Sequence, residues 1–236
     1  CSSDLPGEIS LAHKGVLFLD ELPEFSVKAL DMLRQPLEDG YVAITRVNGK
    51  VVFPADFMLV AAMNPCKCGY YGDPVKPCTC TESDRKRYLG RVSGPLLDRI
   101  DIHVTLHRIV YNDLSISSNF GKSTKDLRIG VEQAIRKQRE RYLLENGDAE
   151  ETQNNENAIL WNSELNTDQI ARYCGLDKTC SSLMEEAYFQ WALSARSYNK
   201  ILKVARTIAD IEGSDLICQQ HLLEALNYRM PDDFYK

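Results

Sequence analysis

Apolar residues along this chain are spaced in two different ways, and the change falls near residue 115. In the first part they cluster into short unbroken runs. Val16-Leu17-Phe18-Leu19 and Phe57 to Met63 have strand length and no polar alternation, the pattern of parallel strands covered on both faces. Ile100 to Leu106 reads as a third strand. Between the first two, Pro23 opens a helix near Ser26 that runs to about Gln35, with Val27, Leu30, Leu33 and Leu37 at helical spacing. Tyr41 to Arg46 and Lys50 to Phe53 flank Asn48-Gly49, a dipeptide that accepts the positive φ angles of a tight hairpin turn. Thr81 to Arg91 predicts a further helix.

The second part is helical in period. Lys125 to Leu144 places Leu127, Val131, Ala134 and Ile135 on one face and bases on the other. Helices follow near 167–174, 178–192, 194–212 and 218–229. The third of these has Ser194 as cap, Ile201, Val204, Ala205, Ile208 and Ile211 as its buried face, and Gly213 as its stop. The polar stretch from Asn146 to Asn157 predicts a connector, and no internal repeat is visible.

Composition narrows the class. With 236 residues, 44% hydrophobic and 26% charged, the chain predicts one or two globular domains rather than a disordered segment. Its longest apolar stretch, Phe57 to Met63, is too short to span a bilayer, so no membrane partner is expected. The chain starts at Cys1 without a basic-then-apolar leader, which predicts a cytoplasmic location. A net charge of −6 argues against general nucleic-acid binding. That excess is local: Tyr142 to Ala171 holds seven acids and no base, leaving the rest close to neutral and a basic working surface available.

Candidate chemistry sits at the ends of the apolar runs. Asp20 and Glu21 close the first run, where an open α/β sheet binds ligands at the C-terminal edge of its strands. Asp20 suits Mg²⁺ held through water, and Glu21 suits polarising an attacking water; two solvated acids are the plainer alternative. Asn64 ends the second run, so a neighbouring parallel strand sets its amide beside the two carboxylates. An Asn-Pro turn is the alternative there. Arg99, just before the third run, is placed either to reach a neighbour's nucleotide or to pair with Asp98 or Asp101.

These stretches carry a resemblance. Gly7 to Glu21, Arg34-Gln-Pro-Leu-Glu-Asp-Gly40, Ala61-Ala-Met-Asn-Pro65, Ser93 to Asp101 and Ser194 to Asp210 resemble magnesium-chelatase-like AAA+ ATPases and, within them, the ComM/YifB branch. The fold it implies is α/β: a partial AAA+ P-loop NTPase core, a parallel sheet with a β-hairpin insertion, followed by an all-helical C-terminal lid. It implies a core over 1–115, a helix and polar, acidic connector over 116–157, and a lid over 158–236. By position, Asp20 and Glu21 match Walker B, Asn64 sensor 1, Arg99 the arginine finger and Arg196 sensor 2. ATP and Mg²⁺ are the implied cofactors, with Asp20 and Glu21 at the Mg-ATP site. The Asn48-Gly49 hairpin matches the pre-sensor-1 hairpin, which makes Arg46 and Lys50 candidate DNA contacts; a purely structural hairpin is the alternative.

One departure matters. No G-x-x-x-x-G-K-[ST] loop is present, and Gly121-Lys122-Ser123-Thr124 imitates only its end, after rather than before Walker B. The resemblance implies a phosphate loop upstream of Cys1 and a missing strand between those at Phe57–Met63 and Ile100–Leu106. An apolar gap in the sheet, closed by rearrangement or self-association, and weak or absent hydrolysis by this chain alone are therefore expected.

Cys66-x-Cys68 and Cys78-x-Cys80 form a second constellation. Four of the eight cysteines within fifteen residues, without export signals, read as a structural zinc site before they read as disulfides. Arg85, Lys86, Arg87 and Arg91 follow, and are candidate contacts to DNA phosphates or a solvated helix face. Taken together, the resemblance implies a subunit of a ring, of hexameric type, that uses ATP to remodel DNA by branch migration or helicase-like action during recombination of incoming DNA. A chelatase motor inserting metal into a tetrapyrrole and a non-catalytic zinc-pinned interaction module are the alternatives.

Overall fold

A computed structural model describes residues 7–46, 49–106, 121–146 and 159–229. The described chain falls into two compact units, one up to Ile100 and one from Asp101 to Arg229. Among the described residues no helix is long and apolar enough to cross a membrane.

The first unit is mixed α/β. A short helix α1 (Glu8–Leu11) leads into strand β1 (Val16–Leu19), followed by α2 (Val27–Met32) and α3 (Arg34–Asp39). Ser26 caps α2 by accepting a hydrogen bond from the Ala29 N–H at 3.2 Å. The single helix expected from Ser26 to Gln35 is thus two helices ending later, at Asp39. Pro36 explains the break: it has no N–H for the Met32 carbonyl, and its ring crowds that turn. Gly40 ends α3 at φ +72°, a left-handed conformation that glycine adopts without cost.

Strands β2 (Tyr41–Arg46) and β3 (Gly49–Pro54) form the expected antiparallel hairpin, with Thr45 opposite Lys50 and Arg46 opposite Gly49. Strand β4 (Met58–Ala61) lies parallel to β1, Val16 opposite Met58 and Leu19 opposite Ala61. After it come α4 (Glu82–Leu89) and α5 (Gly94–Leu97). One face of the β1–β4 pair packs Leu17, Leu19 and Ala61 onto a buried core of Leu22, Leu30, Leu33, Val92, Leu96 and Leu97. The opposite face, Val16, Phe18, Met58 and Val60, is open, from 40% to 65% exposed. The continuous apolar runs predicted strands covered on both sides, and among the described residues only one side is covered.

The third strand expected over Ile100–Leu106 does not form: residues 100–106 are irregular, and among the described residues the parallel sheet consists of β1 and β4. A strand needs a ladder partner for its backbone groups. Here the His103 N–H bonds the Tyr228 carbonyl at 2.8 Å, and Ile102, Val104 and Leu106 are left exposed.

The second unit is helical: α6 (Thr124–Asn146), α7 (Thr167–Tyr173), α8 (Lys178–Gln190), α9 (Ala195–Ile211) and α10 (Gln219–Asn227). Tyr142, Ile170, Met184, Leu193, Ile201, Leu202, Ala205 and Leu222 are among its core residues. Two predicted faces need correction. On α6, Leu127 and Val131 are more than half exposed while Ala134 and Tyr142 are buried, so the buried face is not the one expected at the start of the helix. On α9, Ile211 is exposed, whereas Arg206 and Asp210 are buried. Gly121-Lys122-Ser123-Thr124 is the start of α6. The Ser123 hydroxyl donates to the Asp126 carboxylate at 2.7 Å and accepts from its N–H at 3.2 Å, a reciprocal cap rather than a phosphate cradle. Of the connector predicted from Asn146 to Asn157, Asn146 is the last residue of α6 and the remainder lies outside the described residues.

Candidate functional site

Asp20 and Glu21 leave β1 at its C-terminal edge, both exposed. The turn is tight. The Ala62 N–H bonds the Leu19 carbonyl and the Leu22 N–H bonds the Ala62 carbonyl, each at 2.9 Å, so the chain after β1 is clamped to the chain after β4. Between those clamps Glu21 adopts φ +52°, ψ +48°, a left-handed conformation unusual for a residue with a side chain. Its N–H donates to Asp20 Oδ1 at 2.9 Å, and Leu22, 1% exposed, anchors the turn in the core. Asn64, exposed, stands on the same edge just beyond β4. Parallel pairing in this register therefore gathers two carboxylates and one amide at one end of the sheet, as the sequence predicted.

The chain then enters the cysteine loop directly. Cys66 is fully buried, and its Sγ lies 3.4 Å from Cys68 Sγ and 3.6 Å from Cys78 Sγ, with Cys68 and Cys78 also 3.6 Å apart. All four sulfurs, Cys80 included, lie within 4.8 Å of one another. A tetrahedron with Zn–S near 2.3 Å has S···S edges of about 3.8 Å, whereas a disulfide needs about 2.05 Å. The described cysteines are all free thiols. Donor set and spacing thus fit a closed four-thiolate zinc site.

The loop is shaped for that closure. Gly69 and Gly72 take φ +80° and +81°, and Asp73 Oδ1 accepts from the Val75 and Lys76 N–H groups at 2.8 Å each. Backbone N–H groups of Tyr70 and Thr79 stabilise the Cys68 thiolate and draw its pKa down to about 5. The Cys68 N–H acts the same way on Cys80, but the Cys68 sulfur, burial and Cys66 outweigh it and push Cys80 up to about 11. In the metal-free cluster the lowered Cys68 thiol thus stands beside the raised thiols of Cys78 and Cys80, and binding a cation must expel protons.

Helix α4 returns from the loop to the sheet edge. Thr81 caps it, accepting from the Asp84 N–H at 3.2 Å. Tyr88 is buried at its other end, and its phenol pKa is raised by burial and by the nearby charges of Glu24, Glu21 and Cys66, with the Asn64 backbone N–H beside its oxygen acting in the opposite direction. The four bases offered as phosphate contacts are all engaged. Arg85 donates to the Cys80 carbonyl at 3.3 Å and lies over the Tyr71 ring; Lys86 pairs with Glu82 at 2.9 Å, Arg87 with Asp84 at 3.9 Å and Arg91 with Glu24 at 3.5 Å. On the hairpin Lys50 is exposed, while the side chain of Arg46 lies outside the described residues.

Arg99 follows α5 and is 15% exposed. It pairs with neither Asp98 nor Asp101, the partners its sequence neighbours suggested. Its guanidinium binds Glu38 of α3 and the Pro95 carbonyl, the latter at 2.6 Å, and Asp101 instead pairs with Lys200 at 2.8 Å. Arg99 lines an open cleft with Asp31, Arg34, Gln35, Glu38 and Asp39, where the Nε atoms of Arg34 and Arg99 are buried without a hydrogen-bond partner among the described residues. Arg196 belongs to the other unit, exposed in the first turn of α9.

Sequence reasoning missed three groups. Glu38 lay inside a quoted motif without any sign of its partner. Tyr88 stood in a helix judged by its bases. Asp210, fully buried, accepts from Arg141, from Arg206 Nε at 3.1 Å and from Asn162 Nδ2 at 3.0 Å, and this network ties α6 to α9. An Arg and an Asp four apart on the buried period of α9 was the one signal available.

Two family models match the chain in succession: magnesium chelatase, subunit ChlI, over residues 1–114, and the ChlI C-terminal model over 121–229. Competence protein ComM of Haemophilus influenzae is 43% identical over 224 residues, 95% of this chain and 40% of its own length. The uncharacterised protein YifB of Escherichia coli is 42% identical over 227 residues, 96% of this chain and 41% of its own. The magnesium-chelatase 67 kDa subunit of Chlorobaculum parvum is 39% identical over 59 residues, 25% of this chain. The chain thus spans about two fifths of the length of ComM and YifB.

Proposed function

The chain belongs to the magnesium chelatase ChlI family, in common with ComM and YifB, and from that membership we propose that it is part of a ring-forming AAA+ ATPase that spends ATP on remodelling DNA. The observation that carries this reading is the C-terminal edge shared by β1 and β4, with Asp20, Glu21 and Asn64 exposed on it. Carboxylate oxygens suit a hard cation such as Mg²⁺, and an exposed edge leaves room for its water shell. Bound Mg-ATP supplies the scissile phosphoanhydride and a cation that neutralises its charge.

In this reading Asp20 holds the cation through water, and Glu21 accepts a hydrogen bond from the attacking water and orients it. The Asn64 amide fixes the water from the neighbouring strand. Arg99 acts on the nucleotide of the next subunit in a ring, hexameric in type, and Arg196 carries the state of the site to the lid. Supporting the DNA assignment, Lys50 projects from the hairpin into solvent; the α4 bases support it less, since acids and the cysteine loop already engage them. The four cysteines hold a structural zinc ion.

The test is Mg-ATP hydrolysis by the full-length protein, with and without branched DNA. Glu21→Gln lowers turnover by about 100-fold or more while nucleotide stays bound, the size expected when a water-positioning group is lost. Unchanged turnover in that variant overturns the assignment. Stimulation by branched DNA and not by a tetrapyrrole separates the reading from a chelatase motor.

A further inference from the structure

The zinc loop and the candidate catalytic edge are contiguous. Asn64 and the fully buried Cys66 are separated by Pro65 alone, and proline fixes its own φ, so little slack exists between amide and ligand. The Gly69 N–H closes a turn onto the Cys66 carbonyl at 3.0 Å. That turn brings Gly69 alongside the Asn64 side chain: a Cβ placed on Gly69 would just reach van der Waals contact, 4.0 Å from both Cγ and Oδ1 of Asn64. From the other side, the loop ends at Cys80 and passes through the Thr81 cap into α4, which buries Tyr88 beside the Asn64 backbone N–H. Both ends of the cysteine loop therefore bear on one residue. Arg85 reinforces the closure, since it spans from the Cys80 carbonyl to the Tyr71 ring across the loop.

We propose that the four-cysteine centre is a positioning device for Asn64: a zinc ion drawn to Cys66, Cys68, Cys78 and Cys80 pins Gly69 against the amide and Tyr88 beneath its backbone, and losing the ion releases Asn64 without unfolding the unit. Gly69 and Tyr88 are positioning residues in this device, acting through Asn64. Zinc and the edge are taken from the reading above, while the coupling between them rests on the contacts just given. Four thiolates fill a zinc ion's coordination, so the ion holds structure and leaves no open position for a substrate. The core of the unit, built on Leu22, Leu30, Leu33, Val92, Leu96 and Leu97, contains none of the four ligands, which is why it survives metal loss.

Amide hydrogen exchange on the full chain tests this, with zinc content measured on the same samples. In the zinc-loaded protein, the backbone amides of Asn64 and of Cys66 to Gly69 exchange slowly. Removal of zinc by a chelator speeds their exchange by about tenfold or more while the segments around Leu30 and Leu96 keep their protection, as expected of local rather than global opening. Tyr88→Phe, which removes a single oxygen, retains one zinc per chain and still speeds exchange at Asn64. In the full-length protein, zinc removal lowers kcat and leaves nucleotide affinity unchanged. Exchange at Asn64 that ignores zinc, loss of protection across the Leu30 and Leu96 segments as well, or a chain that binds no zinc each overturns the proposal. If the ATPase reading alone is wrong, the zinc-loaded protein shows no turnover, yet the exchange difference persists.

Discussion

Asp210 is the acid on which the helical unit turns. It is wholly buried, and the guanidinium groups of Arg141 and Arg206 converge on it. Two cations around one anion are tolerable only while the anion stays charged, because removing one partner strands a buried charge. Asp210→Asn is therefore expected to cost about 3–5 kcal/mol, read from urea unfolding of the chain; a loss under about 1 kcal/mol would mean that water reaches the guanidiniums. Arg99 is held in a comparable way, by Glu38 and the Pro95 carbonyl, but nearer the surface. If it serves a neighbour's nucleotide, Arg99→Ala lowers kcat of the full-length ring by about 1000-fold with little change in nucleotide affinity. Equal loss of affinity and turnover would instead make Arg99 a brace for α3 and α5.

At the level of elements, caps carry much of the local specification. Ser26, Thr81, Asn166, Asp177 and Ser194 each accept a backbone N–H at the start of a helix. Asp177 accepts from the Cys180 N–H at 2.7 Å, and that bond is the leading cause of its lowered carboxyl pKa. A carboxylate whose folded pKa is depressed contributes stability above its unfolded pKa and loses it as pH falls through the folded one. Asp177→Ala thus lowers the melting temperature of the chain at neutral pH, and the gap to the parent narrows below the ordinary carboxylate range to what a neutral carboxyl oxygen still contributes as acceptor. Asp177→Asn keeps the cap, because an amide oxygen also accepts, and loses the pH dependence. A gap of unchanged size in acid assigns the effect to something other than the cap's charge.

For the molecule as a whole, the open face of the β1–β4 pair is the dominant unbalanced feature. Val16, Phe18, Met58 and Val60 line up in register on one side, with Phe18 at 59% and Met58 at 65% exposure. Apolar groups aligned this way favour association, at about 25 cal/mol per Å² buried. The chain by itself is expected to self-associate on size-exclusion chromatography, and Phe18→Ser with Met58→Ser shifts it toward monomer without loss of far-ultraviolet helical signal. A parent chain that elutes as a monomer at every concentration contradicts this.

The sequence by itself determined the local elements and the identities of the groups at their ends. Apolar runs, capping residues and the Asn48-Gly49 turn depend on neighbours a few positions away, and the helices at Thr167–Tyr173, Lys178–Gln190 and Ala195–Ile211 follow from them closely. The edge carrying Asp20, Glu21 and Asn64 was legible too, since parallel neighbours run in one direction and turn their C-terminal ends toward the same edge. The cysteine spacing already pointed to a closed metal site. Only the tertiary structure decided what these pieces bear upon. Whether 101–106 is a strand depends on a ladder partner, and none is there among the described residues. Whether Arg99 reads Asp98, Asp101 or Glu38 depends on packing between α3 and α5, elements far apart in sequence. That Gly69 and Tyr88 lie near Asn64 follows from a loop folding back toward the strand end, and no spacing rule encodes it. Local periodicity fixes backbone conformation; the meeting of distant side chains is set by burial and close packing, which no single segment contains.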